Sequence, residues 1–292
     1  MTEATVGFVC SRVRKDEKLL LNELREREDV EVVRIDPREV SFGLDDEHGA
    51  DANVGALDAV VDRAMSYSRG LYAARFFESY GVPVVNTSEV ARTCGDKVET
   101  TVALRENDVL TPETRVAFTP ESALETVEEM GYPVVVKPVV GSWARLLAKV
   151  NDRDAAEAVF EHKKVLGSYE HSVFYVQNFV EKPGRDIRVA VIGGETVAAM
   201  YRSSDDWITN AARGAETTNC EITDEIERVA LDAAEAVGCG EEGVVGVDVM
   251  EDGDDLTVHE VNHSLEFKAL TGASGKNVAG AYADHVVEVA KR

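Results

Sequence analysis

The chain has 292 residues, of which 44% are hydrophobic, so it can bury a substantial core and divide into two or three lobes. Acidic residues outnumber basic residues by 55 to 31, and the formal net charge is −24 at pH 7. This balance argues against nucleic acid as the main partner, because phosphate binding needs a basic face. The acids are scattered along the chain, a pattern typical of halophilic proteins whose carboxylates hold water at high salt.

The cysteine spacing and the hydropathy pattern both predict a cytoplasmic protein. Cys10, Cys94, Cys220 and Cys239 show no C-x-x-C spacing, and we expect small, mostly buried thiols in a reducing compartment. No apolar run approaches the ~20 residues that cross a bilayer, and the N-terminus has no signal-peptide pattern.

Strand-like and helix-like patterns alternate over roughly the first 90 residues, which is typical of an open α/β sheet. Strands are predicted at 5–10, 30–35, 57–61 and 82–86, and helices at 16–27 and 70–80. No G-x-G-x-x-G follows the first strand, which argues against a dinucleotide site there. Arg12, Arg14 and Arg69 lie at predicted element ends, and each is either a carboxylate-binding group or an ordinary surface arginine.

An unusual lysine stands in the next part of the chain, beyond a turn predicted at Thr119-Pro120. The strand at 133–138 reads PVVVKP, and Lys137 ends its apolar run, where an ammonium needs a counter-charge. The small-residue loop at 139–145 follows directly, and such loops let backbone N–H groups approach phosphate oxygens. The absence of G-x-x-x-x-G-K-[ST] excludes a P-loop. A phosphate site is predicted, with a plain hairpin turn as the alternative.

A predicted β-hairpin at 246–268 carries three potential ligands for a hard metal ion. If its acidic turn is centred near Asp254, Asp248 falls opposite Glu260. Asn262 lies two residues beyond Glu260 and would share its face. Oxygen ligands suit Mg²⁺ or Mn²⁺, and Mg²⁺ takes its remaining ligands from substrate phosphates and water. The alternative is a solvated hairpin on an acidic protein.

The same hairpin contains H-E-x-x-H at 259–263, the letters of a zinc-protease motif. That chemistry requires a helix, because only there do residues four apart lie on one face. On a strand, His259 and His263 would stand roughly 13 Å apart at about 3.3 Å per residue, too far to share one zinc. We therefore predict a magnesium site and not a zinc site.

The order of these pieces resembles the ATP-grasp superfamily, specifically its RimK/LysX branch of carboxylate–amine ligases. The matching features are Asp96-Lys97, Lys137-Pro138 with the GSWAR loop, Gln177-Asn178-Phe179-Val180, GRDIRV at 184–189, Thr209-Asn210 with Ala212-Arg213-Gly214, and Asp248 with Glu260-Val261-Asn262. The run EVNHSLEFK at 260–268 is most similar to LysX-type ligases of amino-acid biosynthesis.

This resemblance, which covers about residues 90–268, implies an α/β (α+β) fold of the ATP-grasp type. The implied division is an N-terminal open α/β pre-ATP-grasp domain (1–92), a central ATP-grasp lid subdomain (93–175) and a C-terminal ATP-grasp subdomain that carries the metal and substrate sites (176–292).

The resemblance also implies a role for each motif residue. The implied ATP-binding residues are Lys97, Lys137, Gly141, Ser142, Trp143, Gln177, Asn178, Phe179, Val180, Glu181 and Asp186. The implied catalytic residues are Arg188, Arg202, Asn210 and Arg213. Two Mg²⁺ ions, with Mn²⁺ as an alternative, would be held by Asp248, Glu260 and Asn262. The implied substrate residues are Arg188, Arg202, Asn210, Asn262, Ser264, Glu266, Phe267 and Lys268, and Arg69 is added as a candidate carboxylate-binding residue because of its position at a helix end.

The implied reaction passes through an acyl-phosphate. A carboxylate takes the γ-phosphate of ATP, and an amine then displaces phosphate to form an amide. In LysX-like enzymes the carboxylate is the C-terminal glutamate of a small acidic carrier protein (LysW-like). The amine is that of glutamate or α-aminoadipate, in arginine or lysine biosynthesis. A homo-oligomer, either a dimer or a tetramer, is expected.

Two alternatives to this reaction stay open. One is a RimK-like glutamate ligase that acts on a cofactor or a protein tail, and the other is a non-catalytic nucleotide-binding regulator. The intact lysines and acids argue against the regulator. Ala144 replaces a usual glycine, Asn178 a common glutamate and Ala269 an expected asparagine, so the covering loop and the choice of substrate depart from the family pattern.

Overall fold

The computed structural model describes residues 4–43, 56–141, 146–166, 172–209 and 214–292. Within these ranges the chain forms three sheets, whose strands alternate or combine with helices in a mixed α/β arrangement. The predicted α/β class is therefore confirmed. None of the described helices is long and apolar enough to cross a membrane.

The N-terminal sheet is parallel, with strand order β2-β1-β3-β4. Its strands are β1 (Ala4–Val9), β2 (Val30–Ile35), β3 (Ala59–Asp62) and β4 (Val84–Val85), joined in part by α1 (Lys15–Arg25) and α2 (Tyr67–Ser79). Strand β4 is shorter than predicted and begins only after Pro83, which has no N–H to give to a ladder. All four strands end at one edge of the sheet, because parallel strands share a direction.

The second sheet is antiparallel, with strand order β5-β8-β6-β7. Its elements are β5 (Thr114–Ala117), α5 (Pro120–Met130), β6 (Val134–Lys137), β7 (Ala148–Val150), α6 (Arg153–Leu166) and β8 (Phe174–Asn178). The prediction of only a turn at Thr119-Pro120 is wrong. Thr119 instead caps α5 by accepting from the backbone N–H of Ser122, and Pro120 occupies the first helical turn, where its missing N–H is harmless.

The third sheet is antiparallel, with strand order β11-β10-β9-β12-β13. Its strands are β9 (Arg185–Ile192), β10 (Glu195–Ser203), β11 (Glu216–Asn219), β12 (Val244–Asp252) and β13 (Asp255–Asn262). Five helices pack around this sheet: α3 (Ser88–Gly95), α4 (Lys97–Glu106), α7 (Asp224–Ala236), α8 (Lys268–Ser274) and α9 (Val278–Ala290).

Both faces of the third sheet are covered. Val189 lies in the core beside α7, whereas Ala190 lies in the core that α9 shares with the N-terminal sheet. Because successive strand residues point to opposite faces, Asp186 and Arg188 point to the same side as Ala190. The polar residues of β9 are thereby aimed away from the α7 core. The four cysteines are free, as predicted, and three of them are buried.

Asn86 connects the N-terminal sheet to the third sheet. Its buried amide donates to the carbonyl oxygens of Val244 (2.6 Å) and His263 (2.5 Å), and it accepts from the Val244 N–H (2.6 Å). We expect Asn86→Ala to lower the free energy of unfolding by about 3 kcal/mol, because it leaves buried backbone groups unsatisfied. Urea unfolding measures the change. Asn107→Ala is the control, because the exposed Asn107 side chain donates only to the Ala103 carbonyl, at 2.9 Å, among the described residues. We expect it to lower the free energy of unfolding by less than about 0.5 kcal/mol. Equal losses in the two variants would contradict this account.

Candidate active site

A cleft of about 830 Å³, part of which is open to solvent, lies between the second and third sheets. The residues of the predicted site that line it are Lys97, Lys137, Gly141, Gln177, Asn178, Phe179, Val180, Asp186, Arg202, Asp248 and Glu260. The lining that the sequence did not predict is Val135, Leu147, Lys182, Trp207, Ile208, Thr209, Met250 and His259. Ser142, Trp143, Asn210 and Arg213 lie outside the described residues.

The register of the β12–β13 hairpin brings its acidic residues together. Asp248 pairs with Glu260, as the sequence predicted, and Gly246 pairs with Asn262. The reversal itself lies between Asp252 and Asp255, half a residue earlier than the predicted centre. A β-bulge next to Asp248 restores the register, because His259 is an extra residue on β13. The bulge also places both His259 and Glu260 on the cleft.

Asp248 is buried between two arginines. Arg188, directly opposite on β9, donates from Nη2 to Oδ2 of Asp248 at 2.9 Å, and Arg202 Nη2 lies 3.0 Å from Oδ1. Arg202 also donates from Nε to Asp186 Oδ1 at 2.6 Å. Burial alone would raise the pKa of Asp248, but the two guanidinium groups outweigh it and lower that pKa to about 2. Its Oδ1 nevertheless accepts no well-directed hydrogen bond from the described residues.

Two lysines face the same cleft, and one is paired with a carboxylate whereas the other is bound to a neutral amide. Lys97 Nζ lies 3.2 Å from Glu260 Oε1 and donates to the Gly141 carbonyl at 2.8 Å. Lys137 is buried and donates to the Gln177 amide oxygen at 2.6 Å, with no ion pair in the described part of the chain. Burial lowers the pKa of Lys137 to about 8. An ammonium held by a neutral amide retains its charge for an incoming anion.

A third lysine, Lys182, was missed by the sequence reading. Its Nζ lies 3.3 Å from Asp186 Oδ2 and 2.5 Å from Thr209 Oγ1. Burial lowers the pKa of Lys182, although Asp186 opposes this shift. Lys182 lies in the segment EKPG, whose proline and glycine predict a turn. A basic residue in the loop directly after a cleft strand was the available clue.

The remaining lining is largely apolar and aromatic. The Phe179 and Trp207 rings meet edge to face, with centroids 6.2 Å apart, and Lys149 Nζ lies 3.4 Å from the Phe179 centroid. Val135 and Met250 belong to the same group. This lining suits a flat aromatic ligand group, whereas the lysines and acids suit a phosphate chain with a cation.

The zinc-protease interpretation is excluded by the backbone. The residues of H-E-x-x-H lie on β13 and just beyond it, not on a helix. His259 is half-buried, its buried Nε2 atom has no hydrogen-bond partner in the described structure, and desolvation lowers its pKa well below the ordinary value. It is therefore a neutral imidazole at pH 7. Across the described ranges, no three His, Cys, Asp or Glu side chains form a group that could hold a metal ion.

The structure separates the predicted substrate residues into several environments. Arg69 is exposed on α2, and Glu266 lies 3.2 Å from Arg14. Phe267 is fully buried against Tyr282, so its ring packs the core in this structure and lies outside the cleft lining. The other predicted residues outside the cleft lining are Glu181, Arg188, Asn262, Ser264 and Lys268. Of these, Arg188 and Asn262 contact Asp248, the latter at 3.4 Å.

Two protein-family models match adjoining parts of the chain. A LysX preATP-grasp domain matches residues 6–93, and a RimK-like ATP-grasp domain matches residues 94–286. The chain belongs to the RimK-like ATP-grasp family. The ATP-grasp fold expected from the sequence is thus confirmed, and this ATP-grasp protein is an ATP-dependent ligase that forms an amide bond.

Three relatives illustrate the similarity. The chain is 34% identical over 237 residues to the alpha-aminoadipate–LysW ligase LysX of Saccharolobus solfataricus, covering 80% of this chain and 85% of the relative. It is 29% identical over 287 residues to the glutamate–LysW ligase ArgX of Sulfurisphaera tokodaii, covering 97% and 98%. The crystal structure of a RimK domain ATP-grasp protein from Sphaerobacter thermophilus gives a TM-score of 0.81 at 29% identity, covering 97% and 100%.

The residues present fit the ATP and Mg²⁺ that ATP-grasp membership implies. The carboxylates of Asp248 and Glu260 are hard oxygen donors on one face of the hairpin, and in this structure they pair with Arg188, Arg202 and Lys97. Lys97 and Lys137 supply the positive charge that phosphates need.

Proposed function

We propose that the chain joins the α-amino group of glutamate or α-aminoadipate to the C-terminal glutamate of a small acidic LysW-like carrier protein. The reaction uses ATP, proceeds through an acyl-phosphate and serves arginine or lysine biosynthesis. The observation that carries the proposal is the single cleft in which Lys97 and Lys137 face Asp248 and Glu260. Similarity over 97% of the chain to a named LysW ligase supports the choice of partner.

ATP is proposed to bind with its base against the apolar lining and its phosphates at the lysines. Phe179 and Val180 follow directly on β8 and line the cleft beside Asn178, so a base can lie along this strand end. Lys137 reaches the phosphates without breaking an ion pair between described residues, because its hydrogen-bond partner there is the neutral Gln177 amide. Lys97 has to release Glu260 when it turns to the phosphates, and Glu260 then becomes available as a ligand.

Asp248, Glu260 and Asn262 are proposed to hold Mg²⁺, as two ions, with Mn²⁺ as a substitute. When bound, the metal neutralises charge on the transferring phosphoryl group. Arg188 and Arg202 already contact Asp248, so they keep that carboxylate ionised and oriented. The same arginines are proposed to hold the carrier carboxylate and the acyl-phosphate oxygens, since guanidinium groups bind both in bidentate geometry.

The amine subsite is proposed to lie along 262–268, directly after the metal strand. Asn262, Ser264, Glu266 and Lys268 are its proposed polar residues, and Arg69 is a proposed outer contact for the substrate. The division into 1–92, 93–175 and 176–292 is proposed to separate the N-terminal support, the lid over ATP and the metal subdomain. No histidine is required as a base, because positioning of the amine against the acyl-phosphate supplies much of the rate.

ADP release tests this function. The purified chain is mixed with ATP, Mg²⁺ and the LysW-type carrier of the same organism, with glutamate or α-aminoadipate as the amine. We expect ADP release that requires both the carrier and one of the two amines. Omission of the carrier and removal of its C-terminal glutamate are the controls. No carrier-dependent ADP above background with either amine would refute the proposal.

The buried lysine makes nucleotide binding depend on pH. Lys137 has a pKa of about 8, so its ammonium is present below pH 8 and is lost as the pH rises. We expect ATP affinity, measured by calorimetry without amine or carrier, to fall above pH 8 by up to about tenfold per pH unit. Lys137→Met should bind ATP more weakly and lose this pH step. A step of the same size in that variant would assign it to another group.

A further inference from the structure

The segment 263–268 is held mainly by residues from the first 90 positions of the chain. It follows Asn262 at the end of β13 and leads into α8. The hydrogen bonds that reach its backbone from the N-terminal region are those from Asn86 to the His263 carbonyl, from Arg63 to the Leu265 carbonyl, and from the Phe267 and Lys268 N–H groups to Asp16. The N-terminal sheet therefore fixes the path of the chain directly beyond the proposed metal ligands.

Arg63 lies at the centre of this arrangement. It follows β3, is 1% exposed, and donates from Nη1 to the Leu265 carbonyl at 2.8 Å. Its Nη2 donates to Glu17 Oε1 at 3.1 Å, and its guanidinium carbon lies 5.8 Å from the Phe267 ring centre. Burying such an ion pair requires desolvation of both charges, so the pair adds little stability by itself. The planar guanidinium of Arg63 does fix the positions of Glu17 and the Leu265 carbonyl relative to each other.

Asp16 and the same Glu17 complete the contact from the N-terminal region. Asp16 Oδ1 accepts from the Phe267 and Lys268 N–H groups, both at 2.8 Å, and so caps α8 from outside that helix. Glu17, fully buried, also accepts from Arg14 Nη2 at 2.8 Å. Arg14 in turn donates from Nη1 to the Glu266 carboxylate at 3.2 Å. The backbone and the Glu266 side chain are thus both oriented from α1.

We propose that Arg63, with Glu17 and Asp16, positions the 263–268 segment and thereby sets which amine the enzyme accepts. This inference rests on the proposed function, because it takes 262–268 as the amine subsite. These residues do not touch the substrate. They act through the backbone of the segment, so a change in them alters the shape of the amine subsite and leaves the ATP cleft as it is.

Arg63→Lys is the main test, because lysine keeps the charge beside Glu17 but cannot bind Glu17 and Leu265 together. We expect its KM for the preferred amine to rise at least about tenfold, with KM for ATP within about twofold of wild type. The ratio of kcat/KM for glutamate over α-aminoadipate should change by a similar factor. A general loss of folded protein would not move that ratio.

A second variant and a matched control accompany Arg63→Lys. Asp16→Ala, which removes the acceptor of the Phe267 and Lys268 N–H groups, should shift the same ratio and speed hydrogen exchange at those two amides. Arg27→Lys is the control, because Arg27, two residues beyond the end of α1, donates to the Gly280 carbonyl of α9 at 3.1 Å and has no hydrogen bond to 263–268 among the described residues. It should leave the ratio unchanged.

The outcomes separate this inference from the proposed function. If the wild-type chain releases no carrier-dependent ADP with either amine, the proposed function is refuted, and the inference is refuted with it. An active wild type, with Arg63→Lys and Asp16→Ala variants that keep the wild-type amine KM and ratio, refutes the inference alone. A KM for ATP that rises as much as the KM for the amine also refutes it, because the change would then extend to the ATP cleft.

Discussion

Glu260→Gln is expected to lower the rate of ADP formation by about 10³-fold or more, since it removes a charge from the proposed Mg²⁺ site. The variant should also need more Mg²⁺ for half-maximal activity. Its thermal midpoint should stay within about 2 °C of wild type, because the partly exposed Glu260–Lys97 pair contributes little to stability. Steady-state ADP release at several Mg²⁺ concentrations and a melting curve measure these effects.

Glu251→Gln is the matched control for that experiment. Glu251 lies on the same hairpin and pairs with Arg185 at 2.7 Å, but it does not line the cleft. We expect its rate and its Mg²⁺ dependence to match those of wild type within about twofold. Equal losses of activity in Glu260→Gln and Glu251→Gln, or no loss in either, would contradict the proposal. Either result would mean that Glu260 has no role in catalysis that Glu251 lacks.

Asp248→Asn is expected to abolish turnover and also to lower the free energy of unfolding by about 3–5 kcal/mol. The reason is that Arg188 and Arg202 would keep their buried charges while losing the carboxylate between them. The contribution of the ionised Asp248 carboxylate to the stability of the wild type depends on pH. Since the folded pKa of about 2 lies below the ordinary value of 3.8, this stabilisation is full above pH 3.8 and is lost as the pH falls towards 2.

Urea unfolding at several pH values checks this second prediction. Asp248→Asn should show a weaker loss of stability than wild type as the pH falls from 3.8 towards 2. Adding Arg188→Met to Asp248→Asn should recover part of the stability, because one uncompensated charge is removed, while activity stays absent. A variant as stable as wild type would show that the arginines are satisfied without Asp248.

The hairpin could be predicted in large part from the sequence. A glycine turn between two β-prone runs fixes an antiparallel pair, and the pairing of Asp248 with Glu260 follows from the spacing. Lys137 could also be singled out, because an ammonium at the end of an apolar strand needs an explanation. In both cases the signal lies within a few consecutive residues.

Other features depend on contacts between distant parts of the chain. The bulge at His259 arises from strand pairing, and no local pattern marks it. Arg63 contacts Glu17 and Leu265, which lie 46 and 202 positions away, so its burial could not be read from its neighbours. The motif predicts Phe267 to be a pocket residue, and the contribution of its ring to the core beside α9 depends on packing that the motif does not encode.

The central claim is that this cleft makes an amide between a carrier carboxylate and an amino acid. The mass of the carrier protein tests it most directly, after incubation with the chain, ATP, Mg²⁺ and an equal mixture of glutamate and α-aminoadipate. We predict that the intact carrier gains the mass of one residue of either amino acid, and that Glu260→Gln leaves its mass unchanged over the same time. A carrier that keeps its original mass while ATP is consumed would contradict the account.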